Sequence, residues 1–291
     1  MSGLARFSTI PSVLIGFALA ASACAGPRAA APAAPAAPPS AHGAHAEAPP
    51  PTWSYPDVEG GVNRWAGLGE CASEGAQSPI SFAGQPTTAR TVAVSVEVPT
   101  MHVAPHNHSV DFVYPTHGSL APVITVGGVA YTVAGLHFHD PVEHDVGQPA
   151  DVEMHIKTTA PDGSVAVFGV LYVLADPDPD AWSAALGDAL TTLAAGGVVN
   201  LGSTLGAFAH RPFFAYRGSL TTPECTGGVQ WYVLRDPVPL DRTEWATLRT
   251  ALVDPVHGMV AGNHRSLQPV RGPIFLETPE DTSEASLHSE E

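Results

Sequence analysis

Between residues 135 and 157 the chain reads GLHFHDPVEHDVGQPADVEMHIK, two runs of alternating character joined by a turn. A period of two is the mark of an extended strand, whose successive side chains point to opposite faces. His137 and His139 then share one face, while Leu136 and Phe138 share the other. In the second run Asp151, Glu153, His155 and Lys157 take one face, and Val152, Met154 and Ile156 the opposite one. Pro141, Gly147 and Pro149 mark the turn, and the connection is short enough for antiparallel neighbours.

Pairing the two runs brings His155 beside His137 and His139. Three neutral nitrogen donors then stand on one wall with a fourth tetrahedral position open, the arrangement of catalytic rather than structural Zn2+. Taken alone His-x-His is a weak signal, since exposed and core histidines account for most instances. A third His on the adjacent strand, preceded on its own face by a carboxylate, is much rarer. Glu153 is placed to accept the second ring N–H of His155 and so to fix its tautomer. The inventory agrees, because fourteen His against a single lysine, Lys157, favours metal or proton chemistry. With 12 Lys+Arg against 28 Asp+Glu, a formal net charge of -16, and basic residues scattered, nucleic acid is excluded as a partner.

Elsewhere strand signals dominate: residues 92–96, 109–114, 122–126, 165–174 and 230–234 are short, rich in β-branched and aromatic side chains, and bounded by Pro, Gly, Asn or Asp. Two segments read as helices. Residues 180–195 place Trp182, Leu186, Leu190 and Leu193 on one face, and 241–252 open on Asp241 and Glu244 in a capping arrangement before Trp245, Leu248 and Leu252. The class is mostly β with a few peripheral helices.

The termini read differently. Residues 1–23 form a signal peptide, with Arg6 before an apolar stretch from Val13 to Ala20 that is too short to span a bilayer. Ala21-Ser22-Ala23 before Cys24 resembles a lipobox, making Cys24 the lipid-bearing first residue; the alternative is an ordinary cleavage site that contains a cysteine. Residues 24–52 are an Ala/Pro-rich tether, and 277–291, with six acids and no Lys or Arg, a disordered acidic tail. The folded domain spans 53–276. The chain is expected to be exported to the periplasm or cell surface and to meet a membrane only through Cys24. With Cys24 set aside, Cys71 and Cys225 remain to pair as a disulfide in an oxidising compartment.

His-Phe-His-x-Pro-x-Glu-His at 137–144, Glu-x-His at 153–155 and Gly-Ser-Leu-Thr-Thr-Pro-x-Cys at 218–225 resemble the α-class carbonic anhydrases in their bacterial exported form. Trp53-Ser54-Tyr55, Trp65, Cys71, Gln77-Ser78-Pro79-Ile80, Trp231, Asn263-His264-Arg265 and Gln268-Pro269 extend the likeness over the whole domain in order. The resemblance implies a single domain on a large, mainly antiparallel central sheet, with zinc at the bottom of a conical cleft. It implies reversible hydration of carbon dioxide to bicarbonate and a proton. His137, His139 and His155 would hold the metal, and Thr221 would pass its hydroxyl hydrogen to Glu143. Asn263 would orient His139 through its main-chain carbonyl. His108 falls where the family keeps a proton shuttle, with His106 its local competitor. Val167, Leu220 and Trp231 match the apolar wall that holds carbon dioxide, with Thr222 beside them.

Three residues depart from the family. Lys157 stands where that wall carries a small apolar residue, Gly135 where many relatives have a glutamine supporting His137, and Glu224 where a second proline precedes Cys225. The alternative function is a catalytically weakened binding module on the cell surface. Such relatives typically lose a ligand, whereas all three are present here, and Lys157 is the feature that favours that alternative.

Overall fold

The computed structural model describes residues 53–98, 101–102, 104–106, 109–111, 121–176, 198–199, 202–251 and 262–281. The expected helix over 180–195, the tether, Cys24 and most of the acidic tail lie outside them, as does His108.

Twelve strands form one sheet. In chain order they are β1 (Thr87–Val92), β2 (Val94–Glu97), β3 (Ala104–His106), β4 (Ser109–Asp111), β5 (Val123–Val126) and β6 (Val129–His139). There follow β7 (Val152–Thr159), β8 (Val165–Ala175), β9 (Phe213–Ser219), β10 (Gly227–Leu234), β11 (Val238–Asp241) and β12 (Ile274–Pro279). The main order is β1-β12-β9-β10-β8-β7-β6-β4-β3, with β11 on β8 and β5 joining β2 to β6. Most pairings are antiparallel, as expected, but β8 runs parallel to both β10 and β11, and β12 parallel to β1, so the sheet is mixed. The strand expected over 92–96 breaks at Ala93 because its halves serve different neighbours: Val92 pairs with Pro279 and Val94 with Val126.

The alternation decides which face holds what. Leu136, Phe138, Met154, Ile156, Phe168, Phe213 and Tyr232 turn to one face and are buried there. Two helices complete that core: α1 (Gly202–His210) through Leu205 and Phe208, and α2 (Arg242–Ala251) through Trp245 and Leu248. Asp241 caps α2, its Oδ1 accepting from the main-chain N–H groups of Thr243 (2.7 Å) and Glu244 (3.1 Å). Helix α1 has no counterpart in the sequence reading, because Gly202 and Gly206 dilute a short apolar stripe. On the opposite face a second cluster includes Ile80, Phe82, Leu171, Tyr216 and Trp231.

Cys71 and Cys225 form a disulfide across a sequence separation of 154, with Cα atoms 4.9 Å apart. Trp65 is buried beside it, with Trp53 packed edge-on and Tyr55 tilted against its ring. The bridge ties the start of the domain to the loop after β9, which carries Leu220, Thr221 and Thr222. Gly218, before that loop, must be glycine: a Cβ there would stand 2.0 Å from Ser78 Oγ.

Candidate metal centre

Strand register builds the centre. His155 on β7 lies directly opposite His137 on β6, and Glu153 opposite His139. The three imidazole rings consequently crowd together, with centroids 4.9 Å (His137–His139), 5.2 Å (His137–His155) and 4.5 Å (His139–His155) apart. One donor atom from each lies within 4.8 Å of the others. His139 and His155 are buried and His137 partly so.

Hydrogen bonds fix which ring nitrogen each of two ligands offers. His139 Nδ1 is 2.6 Å from the main-chain oxygen of Asn263, which can only accept, so Nδ1 carries the proton and the lone pair sits on Nε2. His155 Nε2 is 2.9 Å from Glu153 Oε1, which puts its lone pair on Nδ1. Burial lowers the His155 pKa below the usual imidazole range, the neighbouring Glu153 only partly opposing it, so the ring is neutral near pH 7. A neutral imidazole is the form that binds a metal.

A second set of donors, His144, Glu153 and His155, is close enough to hold an ion. Those atoms are already bonded to one another. Glu153 Oε1 lies 2.6 Å from His144 Nδ1, and Glu153 Oε2 accepts from the main-chain N–H groups of Glu143 (2.9 Å) and His144 (2.8 Å). His144 Nε2 continues to Tyr216 Oη at 2.7 Å, and Tyr216 donates to Ser78 Oγ at 2.7 Å. This chain of hydrogen bonds is a support, and the three-histidine set is the candidate to hold a metal ion. Burial on its own would raise the Glu153 pKa, but the adjacent His144 and His155 hold it well below the usual carboxylate range. Gly169 on β8, opposite His155, keeps the space: a Cβ there would meet Glu153 Oε1 at 3.0 Å.

Glu143 is fully enclosed. Its Oε1 accepts the Arg265 main-chain N–H at 2.8 Å and lies 3.4 Å from His139 Nδ1, while its Oε2 is buried with no hydrogen-bond partner among the described residues. Burial and then Glu153 push its pKa well up, against the pull of the Arg265 N–H and the Thr221 hydroxyl. Arg265 is itself buried and donates to Gln77 Oε1 (3.0 Å), the Ser78 carbonyl (2.8 Å) and the Cys71 carbonyl (2.9 Å). It therefore links Glu143 to the disulfide-bearing segment.

The three histidines open into a cavity of about 220 Å³, walled by Val167, Leu220 and Trp231 on its apolar side and by Tyr55, Thr221, Thr222, Asn263 and Lys157 elsewhere. Every expected site residue whose side chain is described reaches this cavity or lies just behind it. His106 sits on β3. Sequence reasoning missed Tyr55 as a lining residue and the roles of His144, Tyr216, Ser78 and Arg265. Tyr55, Ser78, His144 and Arg265 stood within the matching motifs, whereas Tyr216 carried no such signal.

Comparison with known proteins agrees with this geometry. The family model described as eukaryotic-type carbonic anhydrase matches residues 60–274. A carbonic anhydrase of Klebsiella pneumoniae is 27% identical over 237 residues, 77% of this chain and 90% of that protein. One from Neisseria gonorrhoeae is 27% identical over 224 residues, 73% of this chain and 83% of that protein. Among solved structures, the Photobacterium profundum α-carbonic anhydrase superposes with a TM-score of 0.58 at 24% identity, covering 77% of this chain and 99% of that one, a likeness of fold.

Proposed function

The chain belongs to the α-class, eukaryotic-type carbonic anhydrase family, and from that premise we propose that it interconverts carbon dioxide and bicarbonate with Zn2+ held by His137, His139 and His155. The observation that carries the zinc reading is the pair of fixed tautomers, which aims Nε2 of His139 and Nδ1 of His155 as lone-pair donors beside an apolar wall. Zinc, when bound, supplies the Lewis acidity that makes water a nucleophile near neutral pH.

The chain's own residues do the positioning. Thr221 lines the cavity; with its hydroxyl hydrogen given to the Glu143 carboxylate its oxygen could only accept, and an attacking oxygen would present its hydrogen to Thr221 and its lone pair to the substrate. Glu143, whose carboxyl burial holds toward the protonated form, would become the ionised acceptor with a dication on the neighbouring histidines. Val167, Leu220 and Trp231 offer neutral carbon dioxide a water-poor surface without competing hydrogen bonds. Export of the proton through His108, and attachment to a membrane through Cys24, belong to the same proposal. The Cys71–Cys225 disulfide supports an exported, oxidising location.

Loss of 18O from labelled bicarbonate, followed by membrane-inlet mass spectrometry, tests the reaction. Exchange that depends on protein and disappears after metal chelation is the expected result. Exchange no faster than buffer with zinc-replete protein would reject it in favour of a binding module.

A further inference from the structure

One row beyond the His137–His155 pair lies a group that carbon dioxide chemistry does not need. Lys157, the only lysine in a chain of net charge -16, lines the same cavity as the three histidines. It is half-buried, registered against Gly135 on β6 and against Val167 on β8. Gly135 is buried and brings no side chain to pair with the lysine. An alkyl stem lies comfortably along such a wall, but its ammonium is costly to hold there without water or an anion. Among the residues whose side chains are described, no carboxylate pairs with Lys157. The register brings one acid into the same row, Asp111 on β4, across Gly135.

We infer that Lys157 forms an oxyanion subsite in the cavity and that its ligand there is bicarbonate. The identity of the ligand rests on the carbonic anhydrase reading; the subsite itself does not. Carbon dioxide is neutral and gains almost nothing from a nearby ammonium, whereas bicarbonate gains a charge-assisted hydrogen bond. A small apolar side chain at 157 would merely extend the wall formed by Val167 and Trp231. Lys157 is thus a specificity-determining residue that favours the anionic over the neutral partner of one reaction. The equilibrium fixes the ratio of kcat/KM in the two directions, so the preference appears as a low KM for bicarbonate and as bicarbonate inhibition of hydration.

The single lysine makes the test direct. Protein grown with 13C,15N-lysine carries one labelled side chain, and its resonance is followed as sodium bicarbonate is added at constant ionic strength, at a pH where bicarbonate predominates, with and without zinc. We expect a saturable shift of that resonance. We also expect Lys157→Met to raise the KM for bicarbonate by roughly threefold to tenfold and Lys157→Arg to restore it. A resonance indifferent to bicarbonate would overturn the subsite, as would one that moves only on Asp111→Asn, which would mean the ammonium is committed to that carboxylate. An unchanged KM in Lys157→Met would overturn the preference. If the wild type hydrates no carbon dioxide, the enzyme reading fails by itself, and the titration still decides whether Lys157 binds an oxyanion. If Lys157→Met does not fold, the wild-type titration gives the answer alone.

Discussion

The Nδ1 atom of His139 lies 2.6 Å from the main-chain oxygen of Asn263, a residue 124 positions further along the chain. The Asn263 side chain holds that carbonyl in place: Oδ1 accepts from the Asp140 N–H at 3.0 Å and Nδ2 donates to the Phe138 carbonyl at 2.8 Å. A residue that ligates nothing therefore clamps both ends of the segment bearing His139. Asn263→Ala should lower zinc affinity by about tenfold with the overall fold retained. Competition against a chromogenic chelator checks this, and wild-type affinity in the variant would mean that the carbonyl needs no side-chain support.

Glu153 accepts hydrogen bonds from two imidazoles and two main-chain N–H groups. An amide oxygen in Glu153→Gln can replace only part of this, and its NH2 faces donors. The variant should bind zinc about 10- to 100-fold more weakly. The same titration that measures Asn263→Ala reads it out, with full-strength binding as the contrary result.

The Cys71–Cys225 bridge closes a separation of 154 residues, for which the chain-entropy model gives about 5 kcal/mol of stabilisation. Reduction should lower the melting temperature by about 10 °C or more. Because Cys225 follows Thr221 and Thr222 on the site loop, reduced protein should also lose hydration activity at temperatures where it remains folded. Thermal scans with and without reductant, paired with activity, separate the two effects.

Alkaline pH should destabilise the fold. Burial raises the pKa of Tyr172, Tyr216 and Tyr232 well above the ordinary value of about 10. In that range the native state keeps protons that the unfolded chain gives up, so stability is complete below pH ~10 and falls as pH rises beyond it, by up to about 1.4 kcal/mol per pH unit for each tyrosine. Denaturant midpoints measured across that range, with phenolate absorbance alongside, should show tyrosine ionisation coinciding with unfolding. Ionisation of these tyrosines in the folded protein would contradict it.

How much of this was legible in the sequence follows from range. The alternation over 135–157 placed His137, His139, Glu153, His155 and Lys157 on one face because parity within a strand is a local property. Asp241 announced α2 for the same reason, its hydrogen bonds reaching only two and three residues ahead. The support beneath the metal site was not legible in that way. Arg265 reaches Cys71 and Gln77, 194 and 188 residues away, and His144 meets Tyr216 across 72. Such contacts are set by how the strands stack into one sheet, and no local pattern encodes them. The parallel pairings of β8 escaped for the same reason, since hydrophobic alternation is indifferent to strand direction.

Stopped-flow hydration of carbon dioxide, on protein stripped of metal, reconstituted with zinc, and carrying Thr221→Ala, tests the central claim most directly. Stripped protein should show no catalysis and should recover it on adding one equivalent of zinc. Thr221→Ala, with zinc still bound, should be slower by about 100-fold, because the hydroxyl that orients the attacking oxygen is gone. Rates that do not respond to zinc, or a Thr221→Ala variant as fast as the parent, would contradict the assignment of this cavity as the site of carbon dioxide hydration.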